Sequence, residues 1–297
     1  MQSKDSLDTF GIISLVAFAL LLAFNQVAIA VGGDGFQPVF MAGLRSVGAA
    51  IVLAVWTRFR RIPIAISRDL WPIAALMGAV FGGEFILLFT ALDLTSVSRA
   101  SVIFYSMPFW ATLGAHFLLR EHISRQKILG LVAAFAGVTL AIWDGTNDAS
   151  GSLAGDLAAL GASTGWAAIL LIVKGSKARD LPPEVQLFWQ VLGSIPVLMF
   201  AALFFGPFVR ELEFVHWAVL SFQILCIASF GFLFWFWLLK IYPATSVASF
   251  SFLSPVFSVA LGAMILGEEV GPNLLLALGF VVLGLVLINR RQVPQKV

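Results

Sequence analysis

The chain has 297 residues, 60% of them hydrophobic and only 11% charged, with a formal net charge of +2. A mean hydropathy of +0.98 excludes an ordinary soluble domain, a disordered chain and a nucleic-acid binder. A single cysteine, Cys226, excludes an intrachain disulfide.

Runs of about 20 apolar residues, the length that crosses a bilayer core, follow one another with short polar breaks. In chain order they predict ten spans: 9–31, 36–57, 71–92, 97–118, 127–144, 153–174, 184–205, 216–239, 244–266 and 272–289. Each must be helical, because the bilayer core offers no water to backbone groups. The expected fold is an all-α polytopic membrane protein. The first span resembles a signal peptide at Ala28-Ile29-Ala30, but the segment before it (Lys4, Asp5, Asp8) is not basic. It is therefore read as a permanent span. Of 18 lysines and arginines, Arg45 lies inside a span, and only Arg99 and Arg210 fall on the side opposite the N-terminus. Positive charge is retained in the cytoplasm, so both termini are expected there.

The chain repeats itself. Gly78 to Leu140 matches Leu225 to Leu287 at a constant offset of 147, placing Pro108 on Pro255, Glu121 on Glu268 and Gly137 on Gly284. The second and seventh spans align at an offset of 145: Pro38 with Pro183, Arg45 with Gln190, Gly48 with Gly193. Two units follow, 1–147 and 148–297, each with five spans. An odd number of crossings inverts the second unit relative to the first. Inverted repeats around a midplane site are a transporter architecture, and the two halves are expected to rock around a central cavity.

In both copies a mid-helix proline precedes a helix-end glutamate by 13 residues: PFWATLGAHFLLRE from Pro108 and PVFSVALGAMILGE from Pro255. With Arg45 in the second span, these motifs make nearly the whole chain resemble the ten-helix EamA-type exporters of the drug/metabolite transporter superfamily. Within it, the aromatic amino-acid exporters are the nearest likeness in length, topology and aromatic content. The resemblance implies export of a small-molecule substrate, amino acids favoured, across a bacterial inner membrane. It implies no cofactor, no metal and no nucleic acid. The only further partners are the lipid bilayer and, if not a monomer, a second copy in a weak homodimer. Drugs, nucleosides and sugar phosphates are carried on the same fold. A sugar phosphate wants several cavity cations, and Arg45 stands alone.

Pro108 and Pro255 each remove a backbone hydrogen bond and bend their helices, either as hinges of a cavity or as passive kinks. Ser101, Tyr105, Pro108 and Thr112 share one helical stripe. Its counterpart carries Phe252 and Pro255, beside a stripe of Ser251, Ser254 and Ser258. Arg45 and Glu84 are read as the only charges well inside the spans, at matched depth, and are expected to pair directly or through water. Glu84 is alternatively a proton or substrate-ammonium site. Asn25, Gln26, Trp166, Trp189 and Gln190 are further cavity candidates, with interfacial anchoring the alternative for the tryptophans. Glu121 and Glu268 oppose the dipoles of the helices they end and are expected to have gate or loop partners. Gly161-Ala-Ser163-Thr-Gly165 fits a hydrolase pattern that needs a strand–turn–helix elbow. Here it falls inside a span, where the same residues form a small-residue packing face. An intramembrane serine hydrolase is the distant alternative, and no enzyme is expected.

Overall fold

The computed structural model describes residues 8–145, 152–242 and 250–289. They form twelve α-helices: α1 (Thr9–Gly35), α2 (Pro38–Phe59), α3 (Trp71–Leu94), α4 (Val97–Phe104), α5 (Met107–Leu119), α6 (Arg125–Gly145), α7 (Leu153–Gly175), α8 (Pro183–Ala202), α9 (Phe214–Phe222), α10 (Phe232–Ile241), α11 (Leu253–Leu266) and α12 (Pro272–Asn289). Eight uninterrupted or nearly continuous runs are long and apolar enough to cross a membrane, and α11 and α12 are shorter apolar helices. The start of the predicted ninth span, up to residue 249, lies outside the described residues. Below, the near face is the one holding the start of α1 and the end of α12; the far face is the other.

Three of the predicted spans are not simple rods. The fourth is two helices, α4 and α5, separated at Tyr105–Ser106. Pro108 has no N–H and its ring crowds the carbonyl of Phe104. The chain turns tightly instead, with Ser106 N–H donating to Ile103 O at 3.1 Å and Phe109 N–H to Ser106 O at 2.8 Å. The helix then restarts with Pro108 in its first turn, where a missing N–H costs nothing. At Pro255 a 3-10 turn over Phe250–Phe252 leads into α11. The eighth span holds a nine-residue π-helix, Gln223–Gly231, between α9 and α10. No proline marks it, and its counterpart within α3 is regular.

The two copies do not sit side by side. α3 packs on α7 and α8, α2 on α8, α1 on α11 and α6 on α12, so most close packing joins one copy to the other. Glycines permit this. A methyl added at Gly130 would stand 2.9 Å from the Gly284 carbonyl oxygen, and one at Gly137 would stand 2.7 Å from that of Ala277. Gly130 is the counterpart of Ala277, and Gly137 of Gly284, so the two contacts exchange under the repeat, as a two-fold axis requires. The two copies are therefore interlocked rather than adjacent.

The prolines' helices end alike. Arg120 (φ 56°) and Gly267 (φ 68°) occupy the left-handed region, and the next N–H reaches back to close the end: Glu121 to Ala115 O at 3.1 Å, Glu268 to Gly262 O at 3.3 Å. Glycine takes this conformation freely, whereas for arginine it costs about 1 kcal/mol. Arg120→Gly is therefore expected to raise the unfolding temperature in detergent by about 2–4 °C, and Gly267→Arg to lower it. Equal temperatures for Arg120→Gly and the parent would show that no strain is held there.

Candidate substrate cavity

Two adjoining chambers lie at the centre, where α1, α2, α3, α7 and the π-helix meet. The first, of about 80 Å³, is polar: Asn25, Gln26, Arg45, Glu84 and Gln190 line it with Phe81, Phe85 and Leu88. The second, of about 220 Å³, is apolar and lies toward the near face, lined by Phe18, Ala19, Met107, Leu170, Trp235 and Phe250 among others. Leu22, Tyr105, Trp166, Ile227 and Phe232 border both. Trp166 stacks on Phe104 with ring centroids 5.1 Å apart. The break after Phe104 sets Tyr105 between the chambers, its hydroxyl beside Gln26, Ser254 and Ser258. The π-helix contributes Ile227, and Gly231 at its end leaves room on the apolar side.

Arg45 and Glu84 are buried, at 3% and 4% exposure, and both line the polar chamber. They form no direct ion pair. The Arg45 guanidinium lies over the Phe85 ring at 4.5 Å and near Phe89 at 5.8 Å, a cation–π seat. Its Nε and Nη1 have no hydrogen-bond partner, nor do Asn25 Oδ1 and Gln26 Oε1. Buried polar groups are nearly always paired, so these groups take their partners from whatever fills the chamber.

Other candidates lie elsewhere. Trp189 donates through Nε1–H to Ile64 O at 2.9 Å and faces Trp71, away from both chambers. Ser101 is fully buried with an unpaired hydroxyl, and the Thr112 hydroxyl donates to Pro108 O at 2.7 Å; neither lines the cavity. Phe252 packs into the core while Phe250 lines the apolar chamber. The Ser251 side chain lies outside the described residues. Pro108 borders the apolar chamber, whereas Pro255 is buried within α11. Ser163 is hydrogen-bonded to Ser106, Oγ to Oγ at 3.1 Å; His116 and His216 bond elsewhere, to Glu121 O and to Glu213 N–H.

The far face is closed by polar contacts between the copies. Glu268, at the end of α11, accepts from Val97 N–H at 2.6 Å and from Ser98 N–H at 2.9 Å. The Ser98 hydroxyl donates to it as well, at 2.5 Å. A carboxylate thus sits on the N-terminus of α4, where the helix dipole favours it. Arg99, one turn into α4, lies near the end of a predicted span but is not at the surface. It is 2% exposed and paired with Asp156 of α7 at 2.9 Å, and it donates to Ala141 O at 2.5 Å. The Thr95 hydroxyl donates to the same Asp156. Arg210 grips Asp93 with two hydrogen bonds, at 2.5 and 2.9 Å. On the near face Glu121 pairs with Lys174. Asp156 stands in the first turn of α7, where the helix dipole alone favours an acid, so nothing in the sequence marked it as the partner of a buried base.

The profile of the EamA-like transporter family matches residues 9–143 and again 153–290. The chain belongs to that family. It is a multi-pass membrane protein of a transporter family. Its relatives include the uncharacterized transporter YoaV of Bacillus subtilis, 24% identical with 89% of this chain and 91% of that protein covered. The probable amino-acid metabolite efflux pump of Salmonella typhimurium is 25% identical, covering 90% and 89%. An S-adenosylmethionine/S-adenosylhomocysteine transporter of Chlamydia muridarum is 26% identical, covering 88% and 86%. One crystal structure shares the fold with a TM-score of 0.65 at 20% identity, over 92% of this chain and 95% of that one.

Proposed function

We propose that this EamA-family chain exports amino acids with apolar or aromatic side chains by alternating access, and that it catalyses no reaction. The observation that carries this reading is the junction of the two chambers: an unsatisfied, charged pocket opening into an aromatic one. The efflux-pump relative is named for amino-acid metabolites, and S-adenosylmethionine also ends in an α-amino-acid group. A sugar phosphate is disfavoured, because Arg45 is the only cation among the described lining residues. The segregated basic residues support cytoplasmic termini in a bacterial inner membrane, and the exchanging glycine contacts support two inverted five-helix units, 1–147 and 148–297. The near face is then cytoplasmic. Substrate enters through the apolar chamber while the Glu268 clasp holds the far face shut, and it leaves when that clasp opens.

The test is flux of radiolabelled amino acids into proteoliposomes holding the purified chain, with and without a pH gradient. Phenylalanine and leucine are expected to accumulate several-fold above empty vesicles. Acceleration by the gradient that Glu84→Gln abolishes would assign Glu84 a proton-coupling role. Flux of no amino acid would sink the substrate class.

A further inference from the structure

The polar chamber holds one positive and one negative side chain, and neither neutralises the other by contact. Arg45 is held on one face by Phe85 and Phe89 and has two buried N–H positions, at Nε and Nη1, without acceptors. These positions lie on different edges of the guanidinium, and from either edge it can donate to a carboxylate with a charge-assisted hydrogen bond. Glu84 brings a buried carboxylate to the same chamber, with the unpartnered acceptors Asn25 Oδ1 and Gln26 Oε1 lining it too. An acceptor set around a negative charge matches an ammonium. The two sets face one small volume, about 80 Å³, which suits a head group and not a whole metabolite. The remaining space, about 220 Å³ and lined by Phe18, Trp166, Trp235 and Phe250, suits an apolar side chain.

We infer that Arg45 binds the carboxylate and Glu84, with Asn25 and Gln26, the ammonium of a zwitterionic α-amino acid whose side chain lies in the aromatic chamber. This rests on the amino-acid reading above and adds the orientation and the residues that select for it. The selection is electrostatic. A zwitterion satisfies both buried charges at once. A simple amine leaves Arg45 unmatched, and a simple acid leaves Glu84 unmatched; a buried charge without a partner is strongly unfavourable. Neither variant of the pair should act alike on all ligands. Arg45→Gln removes the carboxylate's partner while leaving the ammonium's, and Glu84→Gln does the reverse.

The experiment is competition against labelled phenylalanine flux in proteoliposomes, using unlabelled phenylalanine, phenylalaninamide (ammonium only) and 3-phenylpropionate (carboxylate only). In the parent chain the two truncated ligands should compete at least 100-fold more weakly than phenylalanine. Binding is also read directly from quenching of tryptophan fluorescence, since Trp166 and Trp235 border the site. By that readout Arg45→Gln should lose phenylalanine about 100-fold yet keep the amide. Glu84→Gln should lose phenylalanine and keep the propionate. If the parent carries phenylalanine but the amide or the propionate competes equally well, the head-group assignment fails while the amino-acid reading stands; this arm needs no variant to fold. The assignment fails in the same way if both folded variants weaken all three ligands equally. If the parent neither carries nor binds any amino acid, both readings fall together.

Discussion

Glu268→Ala is expected to expose the cavity to the far face about 30-fold more often than the parent chain does. The carboxylate accepts two backbone N–H groups of the first turn of α4 and the Ser98 hydroxyl. Hydrogen bonds to a charged group contribute about 1.5–3 kcal/mol each when buried, and less where water competes. Glu268 is only half-buried, so about 2 kcal/mol for the clasp is a fair order of magnitude, which corresponds to that 30-fold shift. The site also explains an otherwise unfavourable placement. A carboxylate at the C-terminus of α11 opposes its own helix dipole, and the N-terminus of α4 offsets this. The measurement uses a Cys226→Ser background, because Cys226 is exposed, with Leu22→Cys at the border of both chambers. A membrane-impermeant maleimide added from the far face should label the Glu268→Ala protein much faster than its parent. Ser98→Ala, which keeps both backbone contacts, should give only a few-fold rise. An unchanged labelling rate in folded Glu268→Ala protein would remove the clasp from the gating account.

Asp156→Ala is expected to lower the unfolding temperature in detergent by on the order of 10 °C. The substitution leaves Arg99, 2% exposed, without the carboxylate that faces it at 2.9 Å. Removing one partner of a buried pair costs about 3–5 kcal/mol, because the other charge stays buried, and each kcal/mol moves a domain of this size by about 2–4 °C. Replacing both partners by apolar residues, Arg99→Met with Asp156→Leu, removes the buried charge together with its carboxylate. The double variant should regain most of the loss. Equal unfolding temperatures for the single and double variants would show that the pair contributes no coupling. Beyond stability, the pair ties the first turn of α4 to α7, so Glu268 meets a fixed target.

The sequence carried the fold in its long-range regularities. Apolar runs of bilayer length, the basic residues held to one side, and Pro108 and Glu121 recurring as Pro255 and Glu268 leave little choice of architecture. They work because each reflects a constraint acting on the chain alone: backbone groups that must be paired in lipid, and charges that resist crossing. The proline breaks were readable for the same reason, as a missing N–H acts within one turn. The π-helix at Gln223–Gly231 was not, since no residue type demands it and packing against α1 and α2 holds it.

The site divides along the same line. Arg45, Glu84, Asn25, Gln26 and Gln190 stand out as polar residues in apolar helices, and they meet in one chamber. Trp189 and Thr112 carried an equal signal and lie elsewhere, because the direction a side chain takes depends on which neighbour its helix packs against. Phe18, Trp235 and Phe250 carried none; an aromatic lining a cavity reads in sequence like an aromatic facing lipid. Arg99 and Asp156 show the limit most plainly. Each reads alone as a charge near a membrane surface, and only the packing of α4 on α7 turns them into a buried pair. The sequence by itself determined the apolar helices, the internal repeat and the charges that must be hidden. The tertiary structure decided that the two copies interlock, which charges meet, and where the space for a substrate remains, because those depend on distances between helices that no single helix encodes.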